Sequence, residues 1–393
     1  MRKTEAVFMD HKFIADRAAK FTPSVLMQLQ SMMSGMDDII DLSIGDPDFT
    51  TPEPILTAGY QDALKGYTHY SPAKGYPDVI QAVIDSYKKK MNIDLDADRV
   101  IIEASSAYSC FLACFATINP GDEILLADPT FLAYKSQIAY AGGVPVFFPT
   151  YEEDHWRIKA KNAEPFITEK TKGIFLCNPN NPTGACLHKE DLQAIYDLAE
   201  KYDLLIYADE IYTSYSYEVP FTSMLTIPGA AERTIVLNSL SKNFVATGAR
   251  LGWVIAPPEI ITSMMRLGVN VVYTAPSISQ RMAKFALEQG DAYMEPIMAE
   301  FKDRMYKTAE RISRIPHLSV QSPPPGSFYL FVNVKETGLD DVEFTMKVLK
   351  DAHVTVVPGS DFGDQGKGYV RICATQALPK LLEACDRIEA LGL

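Results

Sequence analysis

Thr234-Ile235-Val236-Leu237-Asn238-Ser239-Leu240-Ser241-Lys242-Asn243-Phe244 opens as a short β-branched run and closes as a polar segment. The run predicts a buried strand. Lys242 then lies just beyond the strand end, flanked by hydroxyls, with Arg250 downstream. A lysine so placed has two readings. It can be a solvated loop lysine among ordinary serines, the commoner case for an isolated Ser-x-Ser-Lys. It can also be an amine that forms a Schiff base with a carbonyl cofactor while the serines and the arginine grip a phosphate. The choice depends on what the rest of the chain brings to the same place.

On both sides of this run the chain alternates between short apolar strands and amphipathic helices. Strands are expected at Val100–Ile102, Glu123–Leu126, Val144–Phe148, Gly173–Cys177, Leu204–Ala208 and Thr234–Leu237. Helices are expected at Ser105–Ile118, Phe131–Ala141 and Lys189–Tyr202, and earlier from Pro52 and from Tyr76 to Met91. This pattern predicts an α/β fold, a mainly parallel sheet with helices on both faces. From Ser277 helix continues to about Ile315 with a break expected at Pro296. Strands at Ser327–Val334, Val354–Val357 and Tyr369–Cys373 and a helix from Pro379 follow, a more antiparallel arrangement. Residues 1–20 read as an arm, Phe21–Met36 as a helix interrupted early by Pro23, and Ile39–Asp48 as a strand ending in a turn. The expected division is 1–49 for the arm and part of a smaller α+β domain built from both chain ends, 50–282 for the large domain, and 283–393 for the rest of the small one.

Ligands of open parallel sheets bind beyond the carboxyl ends of the strands. By that rule the loops at Ser105-Ser106-Ala107-Tyr108, Asn178–Gly184, Asp209-Glu210-Ile211-Tyr212 and Lys242 all face one edge. Each has an ordinary explanation by itself: Asn181-Pro182-Thr183-Gly184 is a good turn, and Asp209 could cap a helix. Together they supply more. A pyridine-based electron sink needs a carboxylate beside its ring nitrogen and donors at its ring oxygen, roles that Asp209, Asn181 and Tyr212 suit.

Asn178 to Gly184, Asp209 to Tyr212, and Ser239 to Arg250 resemble, in order and spacing, the class I/II aminotransferases that use pyridoxal phosphate, and the likeness extends from Ile44-Gly45-Asp46-Pro47 to Tyr369-Val370-Arg371-Ile372. The resemblance implies Lys242 as the Schiff-base lysine, Asp209 as partner of the ring nitrogen, and Asn181 and Tyr212 at the ring oxygen. Neighbouring cations and the cofactor would depress the lysine pKa and leave a free amine near neutrality. The resemblance also implies Arg371 on the substrate α-carboxylate, with Ile44, Gly45 and Asn181 beside the substrate. A strand arginine is more commonly part of a surface ion pair, the alternative for Arg371. The phosphate would sit on amides at Ser106, Ala107 and Tyr108, where a helix start favours an anion, with Ser239, Ser241 and Arg250. Phe131 would stack on the cofactor, or else be a core phenylalanine. Tyr70 would reach the cofactor phosphate of a neighbouring subunit, which makes the expected active unit a homodimer with shared sites.

Two departures stand out. Ser105-Ser106-Ala107-Tyr108 replaces the more usual glycine-led phosphate loop, and Asn270 stands about where aspartate-using members carry an arginine. The expected reaction moves the α-amino group of a neutral, aromatic or longer-chain amino acid, rather than aspartate, to a 2-oxo acid by a ping-pong route. A β-lyase, decarboxylase or synthase on the same scaffold would use the same cofactor residues. A regulator retaining this fold would need a DNA-binding module, and the arm at residue 1 leaves no room for one.

The bulk properties agree. The 393 residues, 47% hydrophobic and 22% charged, suit a large domain plus a smaller one. Lys+Arg 37 against Asp+Glu 50 gives −13, unfavourable for nucleic acid or an anionic membrane. The six cysteines lack framework spacing, so buried free thiols in a reducing cytoplasm are expected. The six histidines are scattered, so no metal is expected. No signal peptide or membrane span is expected either.

Overall fold

The computed structural model describes residues 13–15, 29 and 31–393. The arm over 1–20, apart from 13–15, and most of the Phe21–Met36 helix lie outside those residues. The strands, in chain order, are β1 (Ile40–Asp41), β2 (Val100–Glu103), β3 (Glu123–Asp128), β4 (Val144–Pro149), β5 (Thr171–Cys177), β6 (Leu205–Asp209), β7 (Thr234–Ser239), β8 (Gly252–Ile255), β9 (Tyr329–Asn333), β10 (Val354–Thr355), β11 (Val357–Pro358) and β12 (Tyr369–Cys373).

A seven-stranded sheet in the order β2-β8-β7-β6-β5-β3-β4 forms the centre. Only β8 runs against its neighbours. Every residue of β7 is buried, as is β5 from Gly173 to Cys177, because helices cover both faces. The strand ends are in register: Cys177 pairs with Asp209, Asp209 with Leu237, and Ser239 with Gly252. This alignment brings loops distant in sequence to one edge. A smaller α+β part uses both chain ends, with β1 parallel to β10 and β12 antiparallel to β11 and β9.

Four features differ from the sequence reading. β8 is a strand that the reading lacks; its four residues follow directly on the polar loop that ends at Arg250. The helix Pro258–Val269 is also absent from it, because Pro257-Pro258 resembles a stop signal. Proline at the first helical position lacks only an N–H that would be unpaired anyway. The region after Ser277 breaks at Gly290 rather than Pro296, giving helices Ser277–Gln289 and Asp291–Ile312. A side chain at Gly290 would overlap the Ala286 carbonyl, whereas Pro296 sits early enough in its helix to cost little continuity. The Val354–Val357 run divides between sheets, since Val354-Thr355 pairs with β1 and Val357-Pro358 with β12.

Candidate active site

A cavity of about 380 Å³ opens at the carboxyl edge of the central sheet. Asp209 ends β6 on its floor. Lys242 reaches it from the four-residue turn of helix Leu240–Asn243 that caps β7. Asn181, Tyr212, Ser106, Ala107, Phe131, Ser241 and Arg250 line the same space, as do Ile44, Gly45 and Arg371 from the other part of the fold. Three expected residues do not. Ser239 is fully buried and its hydroxyl accepts the Ser241 N–H as a helix cap. The Tyr108 hydroxyl is buried away from the cavity without a hydrogen-bond partner. Tyr70 is 77% exposed, with its ring against Tyr273 at 4.6 Å.

Lys242 donates through Nζ to the Gly45 carbonyl at 2.5 Å. Gly45 leaves room for the Tyr329 hydroxyl, which any side chain there would overlap. The lysine pKa is pushed down to about 8. Burial is the main cause, Asp46 opposes it, and Arg371 and Arg250 add to it. The neighbouring cations expected to lower it are therefore the lesser influence.

Asp209 is buried, and burial raises its pKa to about 6 against the pull of the Tyr134 hydroxyl, then the Ile211 backbone N–H, then Lys242. Oδ2 takes a hydrogen bond from the Tyr134 hydroxyl at 2.5 Å. Oδ1 is buried with no partner. A buried orphan of this kind costs about 1–3 kcal/mol if nothing fills it. It is the feature of the cavity that most calls for a ligand donor.

Arg371 is 5% exposed and makes no ion pair among the described residues. Nη1 donates to Asn181 Oδ1 at 3.1 Å and Nη2 to the Ser43 carbonyl at 2.5 Å, while Nε has no partner. Its guanidinium packs on two rings, Tyr329 at 4.7 Å and Phe362 at 4.9 Å from their centroids. The surface-pair alternative is excluded.

The start of helix Ser106–Thr117 forms the other wall. Ser105 caps it, accepting the Tyr108 N–H at 3.2 Å through its hydroxyl and the Ser109 N–H through its carbonyl. The Ser106 and Ala107 N–H groups have no partner among the described residues. Ser105 adopts φ +98, a region that glycine enters without penalty. The loop therefore keeps the backbone path of a glycine-led one. Arg250 is exposed and, among the described residues, hydrogen-bonds only to the Thr247 carbonyl at 2.8 Å and makes no ion pair.

Sequence reasoning missed Tyr134, Tyr329, Leu132, Gln137, Thr247 and the thiols Cys110 and Cys177, all of which line the cavity. Tyr329 OH lies 2.9 Å from Tyr212 OH. The position of Tyr134, three residues after Phe131 on the same helical turn, was the available clue. All six cysteines are free and buried. No described helix is long and apolar enough to cross a membrane.

A sheet edge carrying a buried lysine, a carboxylate oxygen without a partner and unbonded helix-start amides is a site built to hold an anionic ligand. Residues 37–388 match the model of the family "Aminotransferase class I and II", and the chain belongs to that family. It is an aminotransferase, acting between amino acids and 2-oxo acids, of the pyridoxal-phosphate-dependent kind. It is 37% identical to the aspartate aminotransferase of Pyrococcus abyssi, covering 96% of this chain and 97% of that one. It is also 37% identical to aromatic-amino-acid aminotransferase 2 of Thermococcus litoralis, with the same coverage. An aromatic aminotransferase structure from Pyrococcus horikoshii superposes with a TM-score of 0.88 at 35% identity, covering 92% of this chain and 98% of that one.

Proposed function

We propose that this aminotransferase binds pyridoxal 5'-phosphate in the 380 Å³ cavity and prefers neutral, aromatic or longer-chain amino donors to aspartate. The orphaned Asp209 Oδ1 carries the cofactor assignment: it is a buried acceptor in need of an N–H, as a pyridine nitrogen in its protonated form provides. Bound there, the cofactor supplies a carbonyl for an amine and an electron sink that acidifies the Cα–H of the amino acid it holds.

The chain's own groups do the rest. Ser106 and Ala107 amides, the Ser241 hydroxyl and Arg250 would hold the phosphate. Asn181 and Tyr212 would serve the ring oxygen, and Phe131 would pack on the ring. Arg371, whose terminal nitrogens are oriented by Asn181 and the Ser43 carbonyl, would fork onto the α-carboxylate with its remaining N–H groups. Ile44 and Gly45 close over the substrate. Lys242, with a pKa near 8, is partly a free amine at neutral pH, and its Nζ takes the proton from the substrate Cα.

The side-chain preference rests on charge. Lys242, Arg250 and Arg371 are the only basic residues among the described residues lining the cavity, and each already has a role. None is left for a distal carboxylate, while Leu132, Ile44 and Tyr329 offer apolar surface. Asn270, exposed at the end of helix Pro258–Val269, does not reach the cavity of its own chain.

We further propose the domain division 1–49, 50–282 and 283–393, and a homodimer in which Tyr70 serves the partner's site. Exposed Tyr70, Val271 (61%) and Tyr273 (52%) form an apolar patch that a second copy would cover. Six free thiols fit a cytoplasmic setting. The deciding experiment compares kcat/KM for aspartate, phenylalanine, tyrosine and leucine with one fixed 2-oxo acid. A preference for aspartate would reject the side-chain assignment.

A further inference from the structure

β3 ends at Asp128, a residue with no part in the roles above. It is 7% exposed and does not line the cavity. Its carboxylate serves a turn some 236 residues away in sequence: Oδ2 accepts the Asp364 N–H at 3.0 Å and Oδ1 the Gln365 N–H at 3.1 Å. The Thr130 N–H adds a bond to the Phe362 carbonyl at 2.9 Å. Gly363 has φ +141, and any side chain there would overlap Asp128 Oδ1. The joint therefore needs both the carboxylate and the glycine.

Phe362 immediately precedes this turn. It is 2% exposed, and its ring is one of the two that pack on the Arg371 guanidinium, with the ring centroid 4.9 Å away. Leu132, next to Phe131, packs into the same apolar cluster. A guanidinium that must present a planar fork depends on what fixes its plane. Here one of the two fixing rings hangs from a turn whose anchor is a pair of charge-assisted bonds to the central sheet.

We propose that Asp128 is a positioning residue for the α-carboxylate subsite, tying the 363–365 turn to the end of β3 and so holding Phe362 against Arg371. This rests on Arg371 being the carboxylate anchor. In the holoenzyme, Asp128→Ala should raise KM for both the amino donor and the 2-oxo acid about tenfold, the scale of one lost charge-assisted hydrogen bond. The cofactor absorbance and kcat should stay within about twofold. Asp128→Asn, which can still accept one of the two N–H bonds, should fall between parent and alanine. Gly363→Ala, which pushes on the same carboxylate from the other side, should resemble Asp128→Ala. Arg371→Gln is the control. If it raises KM while Asp128→Ala and Gly363→Ala do not, the proposal fails and the Arg371 reading stands. If Arg371→Gln leaves KM unchanged, both fail. Should Asp128→Ala not fold, the Asn and Gly363→Ala variants decide: a loss of cofactor and kcat without a KM change would overturn the proposal.

Discussion

Tyr134 donates its phenolic hydrogen to Asp209 Oδ2 at 2.5 Å, and both residues are buried. The bond leaves Asp209 with one satisfied oxygen and one unsatisfied one, so the carboxylate is pinned in orientation with Oδ1 free. It also opposes burial in setting the Asp209 pKa near 6. In Tyr134→Phe both effects disappear. Asp209 should then titrate above 6, because burial acts on it with less opposition. In the cofactor-free protein the Asp209 carboxyl signal should titrate at higher pH than in the parent, and the loaded enzyme should lose roughly tenfold to a hundredfold in kcat at neutral pH, the range for a hydrogen bond to a charged group. An Asp209 titration at the parent position would remove Tyr134 from the site's electrostatics.

Lys242 supports a prediction in the cofactor-free protein as well as in catalysis. Its pKa of about 8 in the folded chain lies below the ordinary 10.5. Between those values the unfolded chain binds the extra proton, so this residue's contribution makes the fold more stable as pH rises from 8 towards 10.5. Below 8 the full cost of the buried charge remains. Lys242→Met should flatten that rise and stabilise the cofactor-free protein at neutral pH by on the order of 1–3 kcal/mol. Melting temperatures of the two proteins across pH 7–10 measure it. The same variant, given cofactor, should lose at least about a hundredfold in turnover, the lower bound for removing a general base. Full activity would refute the assignment of Lys242.

Much of this site is legible in the amino-acid sequence, and for a definite reason. Lys242, Asp209 and Asn181 each follow an apolar run, and parallel strands present such positions at one edge whatever the side chains beyond. What periodicity could not supply was contact across the sheet. The dependence of Asp209 on Tyr134, of Tyr212 on Tyr329, and of Arg371 on Phe362 joins residues 75, 117 and 9 positions apart, through packing that no local pattern encodes. β8 escaped for a similar reason. Its antiparallel entry between β2 and β7 breaks the strand–helix alternation that marks the other strands. Ser239 is the reverse case: the motif placed it in a phosphate cradle, while it does not line the cavity and its hydroxyl accepts the Ser241 N–H as a helix cap.

The side-chain preference makes a gain-of-function test possible. Asn270 is exposed, with its amide donating to the Arg266 carbonyl at 2.8 Å, so an arginine there can extend without disturbing a packed core. If a partner subunit brings this position over the neighbouring cavity, Asn270→Arg should raise kcat/KM for aspartate by about tenfold or more, the worth of one new ion pair in a partly desolvated site. The value for phenylalanine should fall or stay level. Equal changes for both donors would mean that position 270 does not read the side chain.

The proposed dimer can be tested at the same surface. Tyr70 stands on Tyr273, and His69 is held by a bond from the Ser277 hydroxyl to its carbonyl at 2.5 Å, so the patch is built on a fixed backbone. Val271→Asp places an unpaired charge at its centre, where it would be desolvated in a dimer and harmless in a monomer. Sedimentation velocity should show the parent at twice the chain mass of 43.6 kDa and the variant shifted towards 43.6 kDa. Activity should fall with dimer content and recover as protein concentration rises, because in the proposed dimer Tyr70 serves the partner's cofactor phosphate. A parent protein that is monomeric at full activity would leave each chain's cavity complete in itself, and Tyr70 without the role proposed for it.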